Sequence, residues 1–302
     1  IHYLSLAANQ NDAAAQYNLG LLYISSIYGK RNVKKAIYYF TFSANQNYKN
    51  SLFILALFNL TGLYIKKNPD KGVEYLIQCT SYESKFFIYA NFLVGYFHHV
   101  GLYIKRDIKK AIKFYKEGSS FNHSLSKNNL GIIYKHGIEN EIKQELGWSM
   151  IYFKEAIKYG NHHIPMYNLA HLYFYEKPIE NSNQESIKLL IKSSNQNHFE
   201  SKFLLCIVSI TEFGNDINNI IQKLNEIESM SDQLIHSIIN IIESNNLDQP
   251  SIFKEKYEQY RHIDYIYDFD FFFSYFSRGV DFLENGIQFE EKNTGENINS
   301  GL

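Results

Sequence analysis

The chain has 302 residues carrying 30 basic and 31 acidic side chains, so its formal charge is close to zero and by itself names no partner. Apolar residues make up 45%, which excludes wholesale disorder, and no run reaches the ~18 apolar residues of a membrane span. Two cysteines, Cys79 and Cys206, are too few for a disulfide scaffold or a cysteine-rich zinc site.

Four prolines and sixteen glycines argue against sandwiches and barrels, and 16% aromatic residues demand a core or an interface to bury them. The chain opens at Ile1 without Met, which reads as the start of a fragment whose targeting information is missing.

In chain order, residues 1–11 repeat Ile37 to Asn47 almost residue for residue, so they read as half of a repeat. A first block follows with Ala15, Leu19, Leu22 and Tyr23 on one face, the i, i+4, i+7, i+8 spacing of an amphipathic helix. A second block places Ala36, Tyr39, Phe40 and Ser43 on one helical face. Both blocks then recur. The small residue of the first block falls at Gly20, Ala56, Gly95, Gly131, Ala170 and Cys206, in steps of 36, 39, 36, 39 and 36. A small residue of the second block falls at Ser43, Cys79, Gly118, Ala156 and Ser193. Such columns let paired helices approach closely while Tyr and Phe fill the space around them. Neither helix can bury its stripe alone, so successive pairs must stack.

Asn32, Asn68, Asp107 and Ser182 stand four residues before the second-block anchor, where each is expected to cap a helix. The fourth copy offers Glu145 instead. After Gly214 the columns fade. Asp216 to Ser229 and Asp232 to Ser244 still read as amphipathic helices, Ser251 to Tyr260 and His262 to Ser277 as further ones, and Glu290 to Leu302 as disordered.

The pattern Ala-x-x-x-Leu-Gly-x-x-Tyr, then Lys-Ala-x-x-Tyr-Tyr-x-x-Ala-Ala, resembles the Sel1-like repeat, a relative of the tetratricopeptide repeat, from residue 1 to about 212. Asn59 and His98 depart from its Tyr column. The resemblance implies an all-α, right-handed superhelical solenoid of antiparallel helix pairs, here with C-terminal capping helices. The expected divisions are a repeat array at 1–212, a degenerate repeat and acidic helical region at 213–290, and a disordered tail at 291–302. The resemblance also implies a non-catalytic scaffold or adaptor that binds protein partners. Two narrower settings stay open: the regulatory arm of a protein kinase whose catalytic domain lies upstream of residue 1, and an adaptor of endoplasmic-reticulum-associated degradation. The expected compartment is the cytoplasm, with the endoplasmic reticulum as alternative.

Two surfaces are candidates for that binding. An aromatic column of Tyr17, Phe53, Phe92, Tyr167 and Phe203, interrupted by Asn128, lies two residues before the Leu of each first block. By analogy with related repeats, it and the positions of Tyr96 and His171 face a concave groove fit for a peptide. Packing between adjacent first helices is the other reading. The second candidate is a set of basic pairs, Lys30-Arg31, Lys66-Lys67 and Lys105-Arg106, each just before a second helix. Cations are mildly unfavourable beside a helix N-terminus, so helix stability does not explain them. They would suit an acidic protein or a phosphorylated tail better than nucleic acid, since no RNA-binding motif accompanies them; solvated turn residues are the other reading.

Residues 1–212 carry 24 basic against 15 acidic side chains, and residues 213–302 carry 6 against 16. That split allows the acidic part to dock on the basic array. No catalytic, cofactor-binding or metal-ligating residue is assigned. The pairs His98-His99 and His162-His163 diverge on a helix, and no phosphate loop, dinucleotide fingerprint or nucleophile elbow occurs.

Overall fold

The computed structural model describes residues 2–25, 30–137, 142–160, 162–196, 198–214, 216–227, 230–245, 247, 252 and 255. The helices expected at 251–260 and 262–277 and the tail at 291–302 lie outside those residues, apart from 252 and 255. The described residues form fourteen α-helices and no β-strand. They fall into two compact units, one ending at Phe121 and one beginning at Asn122.

The first unit holds the half repeat α1 (His2–Asn9) and three pairs: α2 (Ala13–Ile24) with α3 (Val33–Asn45), α4 (Lys49–Thr61) with α5 (Pro69–Gln78), and α6 (Phe87–Val100) with α7 (Ile108–Ser120). The second unit pairs α8 (Ser124–His136) with α9 (Leu146–Gly160), and α10 (His163–Glu176) with α11 (Ser182–Ser194). It then adds α12 (Phe199–Phe213), α13 (Ile217–Ile227) and α14 (Asp232–Ser244).

The two members of a pair bury themselves differently. Second helices are amphipathic: α7 buries Ile108, Ala111, Ile112, Tyr115 and Gly118 and leaves Lys109, Lys110 and Lys113 in water. First helices are buried on more of their surface; in α4 each residue from Ser51 to Leu60 is buried, whereas α2 keeps Asn18 exposed. A helix without a polar face belongs to an interior, which is why these helices lack a clear stripe.

The close approach expected of the small column is present. A Cβ added at Gly20 would lie 2.5 Å from the Phe40 ring, one at Gly95 2.9 Å from Tyr115, and one at Gly131 2.6 Å from Phe153. The second-helix column also does chemical work. The Ser43 hydroxyl donates to the Ala13 carbonyl at 2.7 Å, the Cys79 thiol to Lys49 O at 3.2 Å, and the Ser193 hydroxyl to His163 O at 2.9 Å. These bonds reach first-turn carbonyls of the paired first helix, 30 residues back in each case, and add a second donor to the one each carbonyl accepts within its helix.

Four of the five turns inside pairs close on one backbone bond. Asn32 N–H donates to Tyr23 O at 2.7 Å, Asn68 to Asn59 at 2.8 Å, Asp107 to His98 at 2.9 Å and Glu145 to Tyr134 at 2.8 Å. Asn32, Asn68 and Asp107 then cap α3, α5 and α7 by accepting from the N–H of Lys35, Lys71 and Lys110. Ser182 differs from its expected role. It is the first residue of α11, and its hydroxyl turns back to the Ile179 carbonyl at 2.6 Å. The residue before it, Asn181, sits in a left-handed conformation that brings no side-chain cap.

The helices read at 216–229 and 232–244 are α13 and α14. Together with α10, α11 and α12 they enclose one core containing Leu205, Ile220, Leu224, Leu234 and Ile238. The sixth small residue, Cys206, has its thiol 3.9 Å from Ile238 O of α14, so α14 covers this end of the second unit.

Candidate partner-binding surface

The aromatic column is an interior feature. In the first unit Tyr17 is 3% exposed, and Phe53 and Phe92 are 0% exposed. Phe53 stacks on Phe86 with ring centroids 4.5 Å apart, Tyr17 meets Phe40 at 6.0 Å and Tyr48 at 5.5 Å, and Phe92 meets Tyr115 at 6.2 Å. A ring placed this way binds its neighbouring helices, and a docking peptide reaches it only if those helices part. Tyr96 stands apart as half-buried, beside Phe97 at 6.0 Å.

In the second unit the structure brings Asn128, Tyr167 and His171 into one buried polar seam between α8 and α10. The Asn168 amide donates to Asn128 Oδ1 at 2.9 Å, and Asn128 Nδ2 donates to Asn129 Oδ1 at 3.2 Å. Lys135 Nζ lies 2.9 Å from His171 Nδ1, so that nitrogen accepts from the ammonium, and the Tyr167 ring is 5.9 Å from His171. Lys135 and Lys127 are 2% and 4% exposed; Lys127 pairs with Glu155 and stands 5.2 Å from the Tyr159 ring centroid. Burying a cation is costly unless it finds partners, and here Lys127 has the Glu155 carboxylate and Lys135 the His171 ring nitrogen. Asn128 thus interrupts the aromatic column because it belongs to this seam. Two lysines and two asparagines inside one first-helix block were the sequence signal for it.

The basic pairs lie on the outside. Lys30, Arg31, Lys66, Lys67, Lys105 and Arg106 are all exposed. Each pair leads directly into the cap of α3, α5 or α7, so all three occupy the same end of successive second helices. Sequence reading missed the rest of this edge. Lys34 and Lys35 of α3, Lys71 of α5, and Lys109 and Lys110 of α7 lie in the first turns of the same helices and are exposed as well. Successive turns meet: Lys67 Nζ stands 5.8 Å over the Tyr103 ring of the next pair. Arg106 Nε donates to His99 O at 3.1 Å, which anchors the side chain stem while the residue stays open to water. Opposing carboxylates are Asp70 and Asp107. The Asp107 carboxyl accepts the Lys110 N–H, and that bond holds it below the usual carboxylate range. The positive ends of three helix dipoles add to the cations, so the edge as a whole attracts anions.

Reactive chemistry is sparse. Burial pushes the Cys79 thiol up to about 12 and the Cys206 thiol upward too, which leaves both protonated at neutral pH and poor nucleophiles. Among the described residues no group of three or more His, Cys, Asp or Glu is placed to hold a metal ion, and no helix is long and apolar enough to cross a membrane. A shallow polar cleft of about 220 Å³ lies among Ser194, Asn195, Lys202, Ser231, Gln233 and Leu234.

Stacked antiparallel helix pairs, with small residues at every crossing, define an all-α repeat protein. The particular repeat follows from comparison with known proteins: the Sel1 repeat matches residues 1–12, 13–48, 50–78, 88–120 and 166–198, and the chain carries Sel1 repeats. The matches leave out 121–165, the segment that supplies most of the polar seam. Among solved structures the chain is similar to c5321, a protective antigen present in uropathogenic Escherichia coli strains displaying an SLR fold. The TM-score is 0.64 and the identity 17%, over 86% of this chain and 55% of that one. It is also similar to a Sel1 repeat protein from Oxalobacter formigenes, at TM-score 0.58 and 15% identity, over 79% of this chain and 89% of that one. At these identities the likeness shows the fold. No curated protein matches significantly.

Proposed function

We propose that the chain is a non-catalytic scaffold whose exposed basic edge, on the pairs α2–α3, α4–α5 and α6–α7, takes an acidic segment of a protein partner. Sel1 repeats are typically protein-interaction scaffolds, which supplies the general role. The observation that carries the specific surface is the recurrence of exposed cations at one end of α3, α5 and α7, while the aromatic column is sealed. Charge at this edge acts mainly on encounter rate and selectivity. In this reading residues 1–212 are the array. Residues 213–302, with 6 basic against 16 acidic side chains, are a competing internal occupant of the same edge.

The test uses the full chain and a fluorescein-labelled peptide of alternating Glu and Asp. Binding should weaken strongly between about 0.02 M and about 0.5 M salt, because exposed charges are screened over that range. Reversal of all three pairs (Lys30→Glu, Arg31→Glu, Lys66→Glu, Lys67→Glu, Lys105→Glu and Arg106→Glu) should abolish it, with folding intact. Equal binding by wild type and the reversed chain would overturn the proposal. Neutralising the carboxylates of residues 213–302 (Asp→Asn and Glu→Gln) in the full chain should raise affinity if the acidic region competes; unchanged affinity removes that part of the reading.

A further inference from the structure

The first helices of the second unit begin on histidine. His123 is the N-cap residue of α8, His162 of α10 and His198 of α12, where α2, α4 and α6 have Asp12, Tyr48 and Phe86. His163 follows His162 directly. Three helices stacked by a 36- to 39-residue repeat therefore bring four imidazoles together at one end of the unit.

The contacts tie these rings into the packing. The His163 and His198 rings lie 4.6 Å apart, with Tyr167 5.5 Å from His198. His198 Nδ1 is 2.7 Å from the Ser201 hydroxyl, which is 2.6 Å from Ser193, whose own hydroxyl proton goes to His163 O. That order of donors makes Nδ1–H the donor of neutral His198 and leaves Nε2 without a proton. His123 Nδ1 meets the Ser126 hydroxyl at 2.9 Å. The end of α9 packs tightly here: a Cβ on Gly160 would fall 2.2 Å from Ser124 Oγ and 2.7 Å from the His162 ring.

We propose that this histidine column is a proton-operated latch, and that mild acid opens the N-terminal ends of α8, α10 and α12. Protonation places like charges on His163 and His198, whose rings lie 4.6 Å apart, and on His123 and His162, whose charges also repel, at helix ends that already carry positive dipole charge. Opposing charge comes from α12 and α9. Glu200 of α12 lies 3.2 Å from His198 Nε2 and also favours the charged form of His163, as does the Gln196 hydrogen bond. From α9, Glu155 is engaged by Lys127, one residue beyond Ser126. Desolvation dominates all four histidines and lowers each from 6.5, His123 to about 3 and His198 to about 4.

A lowered folded-state value means that the neutral ring is the stabilising form. Its contribution is complete above pH 6.5 and is lost as pH falls toward the folded value. Each such histidine raises the open-to-closed ratio about tenfold per pH unit inside that window. His123 and His198 together give about a hundredfold per unit between roughly pH 6 and pH 4, before His162 and His163 are counted.

Trp148 is the single tryptophan and lies on α9 of this unit, so its fluorescence during urea titration reports the second unit in the intact chain. The expected result is at least a hundredfold loss of folded-to-unfolded ratio per pH unit below pH 6. In His123→Asn/His162→Asn/His198→Asn, where asparagine caps without titrating, the loss should shrink to tenfold or less. An equal slope in the variant, or a slope under tenfold in the wild type, overturns the proposal. Glu200→Gln leaves every cap in place and should move the acid midpoint to higher pH; an unmoved midpoint also counts against the latch.

Discussion

The two units use one repeat and fill it differently. In the first, the seams between pairs are rings on rings, Phe53 on Phe86 and Tyr17 on Tyr48, and charge is confined to the outside. In the second, the equivalent seam between α8 and α10 contains Asn128, Asn168, Lys135 and His171, and the first helices begin on histidine. The repeat specifies where helices cross but not what fills the gap, provided each buried polar atom finds a partner. A polar seam adds little net stability beyond an apolar one, yet removing one member of it is expensive. In the reading proposed above, the first unit presents a surface and the second responds to acid.

The largest effect that would sharpen this contrast is Phe92→Ala, expected to cost about 3–5 kcal/mol because a fully buried ring leaves a cavity. Urea denaturation followed by circular dichroism would measure it. A variant that keeps full stability but loses peptide binding would instead return Phe92 to a binding groove. Glycine replacements come next. Gly131→Leu and Gly95→Leu should each cost about 1–3 kcal/mol by overpacking, with Gly131 the worse, since Phe153 stands closer to it than Tyr115 does to Gly95. In the polar seam, Asn128→Ala removes the acceptor of Asn168 and should cost about 1–3 kcal/mol, seen as a lower urea midpoint of Trp148 fluorescence. Replacement by leucine should not restore stability, because the Asn168 amide still loses the Asn128 oxygen. Smaller still, Asn68→Ala should cost about 1 kcal/mol through loss of the α5 cap. Lys66→Glu should stay within about 0.5 kcal/mol, because that side chain is solvated.

Much of the architecture was legible because two columns of small residues recur with one period. A helix crossing tolerates only a small residue at its centre, so Gly20, Gly95 and Gly131 record the packing directly. Caps at Asn32, Asn68 and Asp107 were legible for a similar reason, since few side chains satisfy the first N–H groups of a helix. Ser182 was misjudged because serine also bonds its own upstream backbone, and there that bond prevails. Whether Tyr17, Phe53 and Phe92 face a groove or a neighbouring helix could not be decided from spacing, since both demands select aromatic residues. The histidine column went unseen for another reason. His162-His163 invites reading as an adjacent pair, whereas its meaning lies 39 residues back at His123 and 36 ahead at His198. The polar seam was obscured because Asn128 looks like a lapse in an aromatic column until Asn168 is placed beside it.

The claim that the chain works through its basic outer edge is tested most directly by hydrogen–deuterium exchange on the intact chain, with and without the acidic peptide. The account predicts slowed exchange in the turns at 30–32, 66–68 and 105–107 and in the first turns of α3, α5 and α7, with α4 and α6 unchanged. Protection confined to α4 and α6, or to the second unit, would contradict it.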